Sequence, residues 1–149
     1  MKLEDVMSKS LVVMDRDSDI KEVGEVMHKY DLGFIPINDE NKIIGVVTDR
    51  DIVTKVISNS DSKIESYITK DLITINVDSS LEDVIDLMGQ KKVKRLLVEQ
   101  DNKLVGIISF ADLLTTDMGD ELILENLRKI YEINRNSDTY ITGVDEFVL

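Results

Sequence analysis

The stretch Gly45-Val46-Val47-Thr48-Asp49-Arg50-Asp51 returns 61 residues later as Gly106-Ile107-Ile108-Ser109-Phe110-Ala111-Asp112. In both copies a glycine and two apolar residues close a β-rich run, and a hydroxyl residue three positions ahead of an aspartate opens a helix. Outward from this junction, residues 6–53 align on 67–114 without a gap. Ten pairs are identical: Lys9/Lys70, Leu11/Leu72, Asp17/Asp78, Ser18/Ser79, Val23/Val84, Met27/Met88, Asn41/Asn102, Lys42/Lys103, Gly45/Gly106 and Asp51/Asp112. Self-similarity at a fixed offset means one structural unit used twice.

Each copy carries the same succession of periods. Leu11-Val12-Val13-Met14 and Leu72-Ile73-Thr74-Ile75 are short apolar runs and read as strands. Ile20, Val23, Met27 and Tyr30, then Leu81, Val84, Ile85 and Met88, recur at helical spacing, with Asp19/Glu22 and Ser80/Asp83 placed as capping pairs. Phe34 to Ile37 and Arg95 to Val98 lead through polar turns into Ile43 to Val47 and Leu104 to Ile108, each a hairpin. A second helix opens at Thr48 and at Ser109. The unit is β-α-β-β-α, an α/β (α+β) arrangement.

A three-stranded sheet with helices on one face leaves its other face bare, and a unit of this size is marginal alone. Two units packed sheet to sheet with pseudo-twofold symmetry bury those faces. The chain accordingly divides into repeat 1 over 1–60 with a linker at 54–63, repeat 2 over 61–115, and a C-terminal helix and tail over 116–149. In the tail, Leu122, Ile123, Leu127, Ile130 and Tyr131 continue a helical period to about Asn134, Arg135 to Asp138 break it, and Tyr140 to Leu149 is apolar again. That last run folds back on the module, docks on a second subunit or binds a partner.

Thirty acidic against 18 basic side chains give a net charge of −12, which repels polyphosphate backbones and anionic lipid. Nucleic acid and membranes are therefore poor partners, although a few converging cations can still hold a small anion. The absence of cysteine excludes disulfides, thiolate nucleophiles and thiolate metal sites. Met1 to Asp5 lacks a basic region followed by an apolar run, and no stretch approaches the roughly 18 apolar residues of a membrane span. The expectation is a cytoplasmic protein.

The repeated junction has a chemistry of its own. A hydroxyl beside the free N–H groups and positive end of a helix suits a phosphate, and a carboxylate one turn along can accept hydrogen bonds from ribose hydroxyls. The plainer reading is a capping box that only satisfies helix-start N–H groups.

Gly, two apolar residues, Thr or Ser, two variable residues and Asp resembles the nucleotide-binding signature of CBS domains. It occurs twice, in a matching β-α-β-β-α order, and the resemblance covers residues 3 to about 115, in the layout of the stand-alone two-CBS proteins of bacteria and archaea. It implies clefts that draw hydroxyl and Asp from one repeat and base-contacting residues from the other. The first would combine Thr48, Arg50 and Asp51 with Thr69, Leu72, Ile73, Thr74, Val93, Lys94 and Arg95. The second would combine Ser109 and Asp112 with Ser8, Leu11, Val12, Val13, Leu32, Gly33 and Phe34. Arg50, Lys94 and Arg95 make the first the favoured phosphate site, since cations neutralise phosphate oxygens. The competing account of Lys91 to Arg95 is a solvated helix end that complements the helix dipole.

The resemblance further implies an adenine nucleotide (AMP, ADP or ATP), S-adenosylmethionine or NAD as ligand, a homodimer through the CBS helices, and a regulated protein partner. The function expected is a regulatory module for energy or metabolite sensing, not an enzyme; no nucleophile and base pair or metal set is visible, and catalytic and metal residues are none. The alternative is a constitutive dimeric scaffold with non-functional clefts. The single histidine, His28, reads as a surface or half-buried helix residue. Gly24 marks close packing, Pro36 an edge or bulge, and Met7, Met14, Met27 and Met88 fill core gaps.

Overall fold

The computed structural model describes residues 1–57 and 64–132. The chain runs through α1 (Leu3–Val6), β1 (Met14–Asp15), α2 (Ile20–Tyr30), β2 (Phe34–Asp39), β3 (Lys42–Thr48) and α3 (Asp49–Asp51), which continues as a π-helical stretch over Ile52–Val56. A 3-10 turn at Ile64–Ser66 precedes β4 (Thr74–Asn76), α4 (Leu81–Lys91), β5 (Arg95–Gln100), β6 (Lys103–Ser109), α5 (Phe110–Leu113) and α6 (Asp120–Ile130). The sheets are β1-β2-β3 and β4-β5-β6, each a parallel pair followed by an antiparallel hairpin.

Local chemistry repeats at the 61-residue offset. The hairpins turn on Glu40-Asn41 and Asp101-Asn102, all four with positive φ, which matches the twist of the flanking strands. Asp31 and Lys92 end α2 and α4 in the left-handed conformation, with φ of 54° and 55°. Both helices carry complete capping boxes, Asp19 with Glu22 and Ser80 with Asp83.

The first strand of each copy is shorter and later than the apolar runs suggest: β1 is Met14–Asp15 rather than 11–14, and β4 is Thr74–Asn76 rather than 72–75. Pro36 explains the difference between them. In repeat 2 the Leu97 N–H donates to Ile73 O at 3.2 Å and anchors the start of the strand. Pro36 holds the equivalent position and has no N–H to give, so pairing begins one residue later, at Met14 opposite Ile37. Pro36 thus lies in the middle strand rather than at an outer edge, at a level where its neighbour has not yet begun and one residue before the register irregularity between Ile37 and Asn38. Gly24 is also corrected: a Cβ there would meet nothing within 4 Å, so close packing does not require it.

Each repeat completes its core with a segment from the other. Leu3 and Met7 are buried with Ile75, Leu81, Val84, Ile85, Met88 and Leu96 of repeat 2, whereas Ile64 is buried with Val23, Met27, Ile35, Ile37 and Val47 of repeat 1. Two backbone bridges fix the crossings, Ser8 to Ile107 and Thr69 to Val46. The motif glycines stand at these crossings. A Cβ on Gly45 would overlap Ile68 Cγ2 and lie 2.8 Å from Thr69 O; one on Gly106 would lie 2.6 Å from Met7 Sδ and 3.0 Å from Ser8 O.

The symmetry breaks at α6, which packs on α4. Asn126 is fully buried and donates to Asp86 Oδ1 at 3.0 Å, and Gly89 makes room for it, because a Cβ there would strike Asn126 Oδ1. Among the described residues no helix is long and apolar enough to cross a membrane. Linker residues 58–63, the break at 135–138 and the run Tyr140 to Leu149 lie outside the described residues.

Candidate functional site

The two hydroxyl–carboxylate junctions close in the same way. Asp51 N–H donates to Thr48 Oγ1 at 3.1 Å, while Asp51 Oδ2 accepts from the Thr48 N–H at 3.0 Å and hydroxyl at 2.7 Å. Ser109 and Asp112 repeat this at 3.2, 2.8 and 2.6 Å. Their environments differ. Asp51 is 8% exposed, and Lys55 Nζ sits 2.6 Å from its Oδ1. Burial pushes the Asp51 carboxyl up, but hydrogen bonds from Lys55 and Thr48 outweigh it and hold the group below its ordinary value of 3.8. Asp112 is half-buried and has Thr116 one turn on, where Asp51 has Lys55.

A cavity of about 300 Å³ opens beside the first junction. Thr48, Val46 and Phe34 of repeat 1 form one wall; Thr69, Asp71, Leu72, Ile73, Lys92, Val93, Lys94, Arg95 and Leu97 form the other. Seven residues expected in the first cleft are therefore brought together: Thr48, Thr69, Leu72, Ile73, Val93, Lys94 and Arg95. Three are not. Asp51 stands behind Thr48, and Thr74 lines a neighbouring cavity on the pseudo-twofold axis. Arg50 is exposed and takes no part in the lining. Its place among the cations is taken by Lys92, which the left-handed turn at the end of α4 brings to the cavity mouth. The expected trio Arg50, Lys94 and Arg95 becomes Lys92, Lys94 and Arg95, with Asp71 as one opposing carboxylate.

The second set is more dispersed. Phe34 lines the first cavity instead, and Leu11 and Val13 line the axial one, about 650 Å³, with Asn41, Lys42, Leu72, Thr74, Asn102 and Lys103. Ser8 is engaged in the bridge to Ile107, and the Gly33 carbonyl accepts from the Asp49 N–H at 3.2 Å. Val12 and Leu32 are half-buried, Leu32 against the repeat 1 core. Ser109 and Asp112 border none of these cavities. Phe110, where repeat 1 has Asp49, is buried in the repeat 2 core.

Among the described residues no cluster of three His, Cys, Asp or Glu side chains could hold a metal ion, and His28 is exposed on α2. The residues missed at the first cavity had a signal for the most part. Lys92 lies in the basic run 91–95, and Val46 lies in the motif itself. Leu97 and Asp71 carried no such signal, because which of their faces meets the cavity is set by the packing of the two repeats.

A family model for the CBS domain matches residues 3–58 and 64–119. A CBS domain-containing protein of Bacillus subtilis, YhcV, is 28% identical over 122 residues, which cover 80% of this chain and 87% of that one. Inosine-5′-monophosphate dehydrogenase of Methanocaldococcus jannaschii is 32% identical over 115 residues, 76% of this chain. The chain spans only 23% of that enzyme's length, so the match speaks for the repeats and not for the enzyme's reaction. Among solved structures, the CBS domain pair of protein MJ0100, in complex with 5′-methylthioadenosine and S-adenosyl-L-methionine, superposes with a TM-score of 0.70 at 26% identity, over 76% of this chain and 93% of that one. With both repeats matched along their length and the crossing segments closing each on the other, the chain belongs to the CBS-domain family as a tandem CBS pair.

Proposed function

We propose that this CBS pair is a regulatory module that takes an adenine nucleotide in the first cavity, between Thr48 of repeat 1 and residues 69–73 and 92–95 of repeat 2. The observation that carries the reading is a pocket built from both repeats, with an apolar floor (Val46, Leu72, Ile73, Val93, Leu97), a helix-start hydroxyl and three cations at its mouth. An apolar floor suits a purine, and clustered Lys and Arg suit phosphate oxygens. A pocket formed by both repeats also gives a ligand leverage on their relative arrangement, which a partner protein can read. The adenosine derivatives bound by the MJ0100 pair favour the same class. We assign the module to the cytoplasm and to a homodimer through its helices. Val53 and Leu114, equivalent at the 61-residue offset, are 62% and 58% exposed just beyond the motifs, with Ile57 beside them at 74%.

A constitutive scaffold is the second reading, favoured by one observation. Ser80 and Asp83 form the same closed box, with the same hydroxyl bond at 2.6 Å, where they border none of the described cavities. The box by itself therefore needs no ligand. A thermal-shift panel of AMP, ADP, ATP, S-adenosylmethionine and NAD separates the two. A ligand at 100 times its dissociation constant adds about 2.7 kcal/mol of stability. A melting temperature unmoved by all five favours the scaffold.

A further inference from the structure

Two of the three cations at the cavity mouth are already engaged, and by the same element. Helix α6 is held on α4 by the buried Asn126, which donates to Asp86 Oδ1 and to Leu122 O. The Gly89 surface allows this close approach. So anchored, α6 ends beside the cavity. The Tyr131 ring lies under Lys94 Nζ, 5.3 Å from its centroid, and Glu132 Oε2 pairs with Lys92 Nζ at 3.3 Å. Repeat 1 has no counterpart of α6 among the described residues, so this arrangement marks one cleft and not its pseudo-symmetric equivalent.

We infer that the end of α6 competes with the anionic group of the cleft ligand for Lys92 and Lys94, so that occupancy of the cavity is passed on as release of Tyr131 and Glu132. This rests on reading the cavity as a nucleotide site and names its regulation. Each ammonium can be neutralised by the ligand or by the helix end, and a phosphate dianion is the stronger partner of the two. The left-handed turn, in which the Lys92 N–H donates to Met88 O and Gly89 O, sets this ammonium at the cavity mouth within reach of both partners. Both existing contacts are solvent-exposed and therefore weak, with Lys92 and Glu132 side chains 52% and 71% accessible. Weak contacts are what a switch requires here: strong ones would close the site, and absent ones would transmit nothing. By linkage, whatever the helix end takes from ligand affinity, the ligand takes from the docking of the helix end.

Calorimetry of AMP and of adenosine on the full chain, with Glu132→Gln and Tyr131→Leu, tests the competition. Each variant should bind AMP about two- to fivefold more tightly and the double variant about three- to tenfold, with adenosine altered by less than about twofold. Hydrogen exchange at residues 128–132 of the unaltered chain should speed up with AMP and stay unchanged with adenosine. AMP affinity unchanged or weakened in both variants overturns the competition while leaving the nucleotide site standing; weakening would mean that Tyr131 holds Lys94 toward the ligand. If AMP binds neither the unaltered chain nor the variants, the nucleotide reading falls and the competition with it.

Discussion

Lys55 closes the outer oxygen of Asp51: its Nζ lies 2.6 Å from Oδ1, one helical turn beyond the Thr48 hydroxyl held on Oδ2 at 2.7 Å. Both oxygens of this nearly buried carboxylate are thus in use, and its ionised form is favoured by the fold. Because the folded value lies below the ordinary 3.8, the charge stabilises the native state above about pH 3.8, and this contribution is lost as pH falls through the folded value. Asp51→Asn should therefore cost about 1 to 2 kcal/mol at neutral pH. Urea denaturation from pH 7 down to pH 3 should show the gap to the unaltered protein narrowing below about pH 4; a gap independent of pH would contradict the assignment.

A ribose clamp requires the Asp51 carboxylate, which stands behind Thr48, to exchange its Lys55 contact for the ribose hydroxyls; Asp51→Ala should then also weaken AMP binding, by about 1.5 to 3 kcal/mol, the range for hydrogen bonds to a charged group. Asp112→Ala should matter less, since Thr48, the partner of Asp51, lines the first cavity, whereas Ser109, the partner of Asp112, borders none of the described cavities. Calorimetry giving unchanged affinity for both variants would reduce the two junctions to helix caps.

Lys94 and Arg95 face the cavity mouth, so Lys94→Ala with Arg95→Ala should lower nucleotide affinity and leave adenosine binding nearly unchanged. Affinity for the nucleotide should fall as salt rises, and less steeply in the double variant. Stability without ligand should move by less than about 1 kcal/mol, because exposed cations contribute little. Equal loss of adenosine and nucleotide binding would mean that the basic pair shapes the pocket and does not hold phosphate.

The motif glycines should differ in their tolerance of alanine. At Gly45 a Cβ would meet Ile68 and, at 2.8 Å, the backbone oxygen of Thr69, which cannot swing aside, so Gly45→Ala should cost about 2 to 3 kcal/mol. At Gly106 the nearest atom, at 2.6 Å, is the sulfur of Met7, part of a flexible side chain, and the backbone oxygen of Ser8 is farther off than that of Thr69, at 3.0 Å, so a smaller cost of about 1 kcal/mol is expected. Denaturant midpoints measure both, and an equal cost would undo the argument.

Val53 and Leu114 should bury their exposed side chains against a second chain. Light scattering of the unaltered protein should give a mass near twice 16.9 kDa. Val53→Asp with Leu114→Asp should return the monomer mass; an unaltered chain that is already monomeric at micromolar concentration removes the helix-mediated dimer.

The features that the sequence determined by itself are those whose partners lie within a few residues. The capping boxes at Thr48 and Ser109, the hairpins and the periods of α2 and α4 are all written in near neighbours along the chain, each lies where those residues imply, and their recurrence 61 residues later is legible because the same local patterns are used twice. The membership of the cavity wall was decided elsewhere. Arg50 faces solvent, Phe34 serves the first cavity, and Lys92 replaces Arg50 because the turn at the end of α4 redirects the chain by one left-handed residue. Leu3 and Met7 complete the core of repeat 2, and Ile64 that of repeat 1, through crossings that no local period records. Which face a side chain presents follows from periodicity, but what it meets there depends on how two sheets and two crossing segments pack at long range, and that is settled only when the tertiary structure forms.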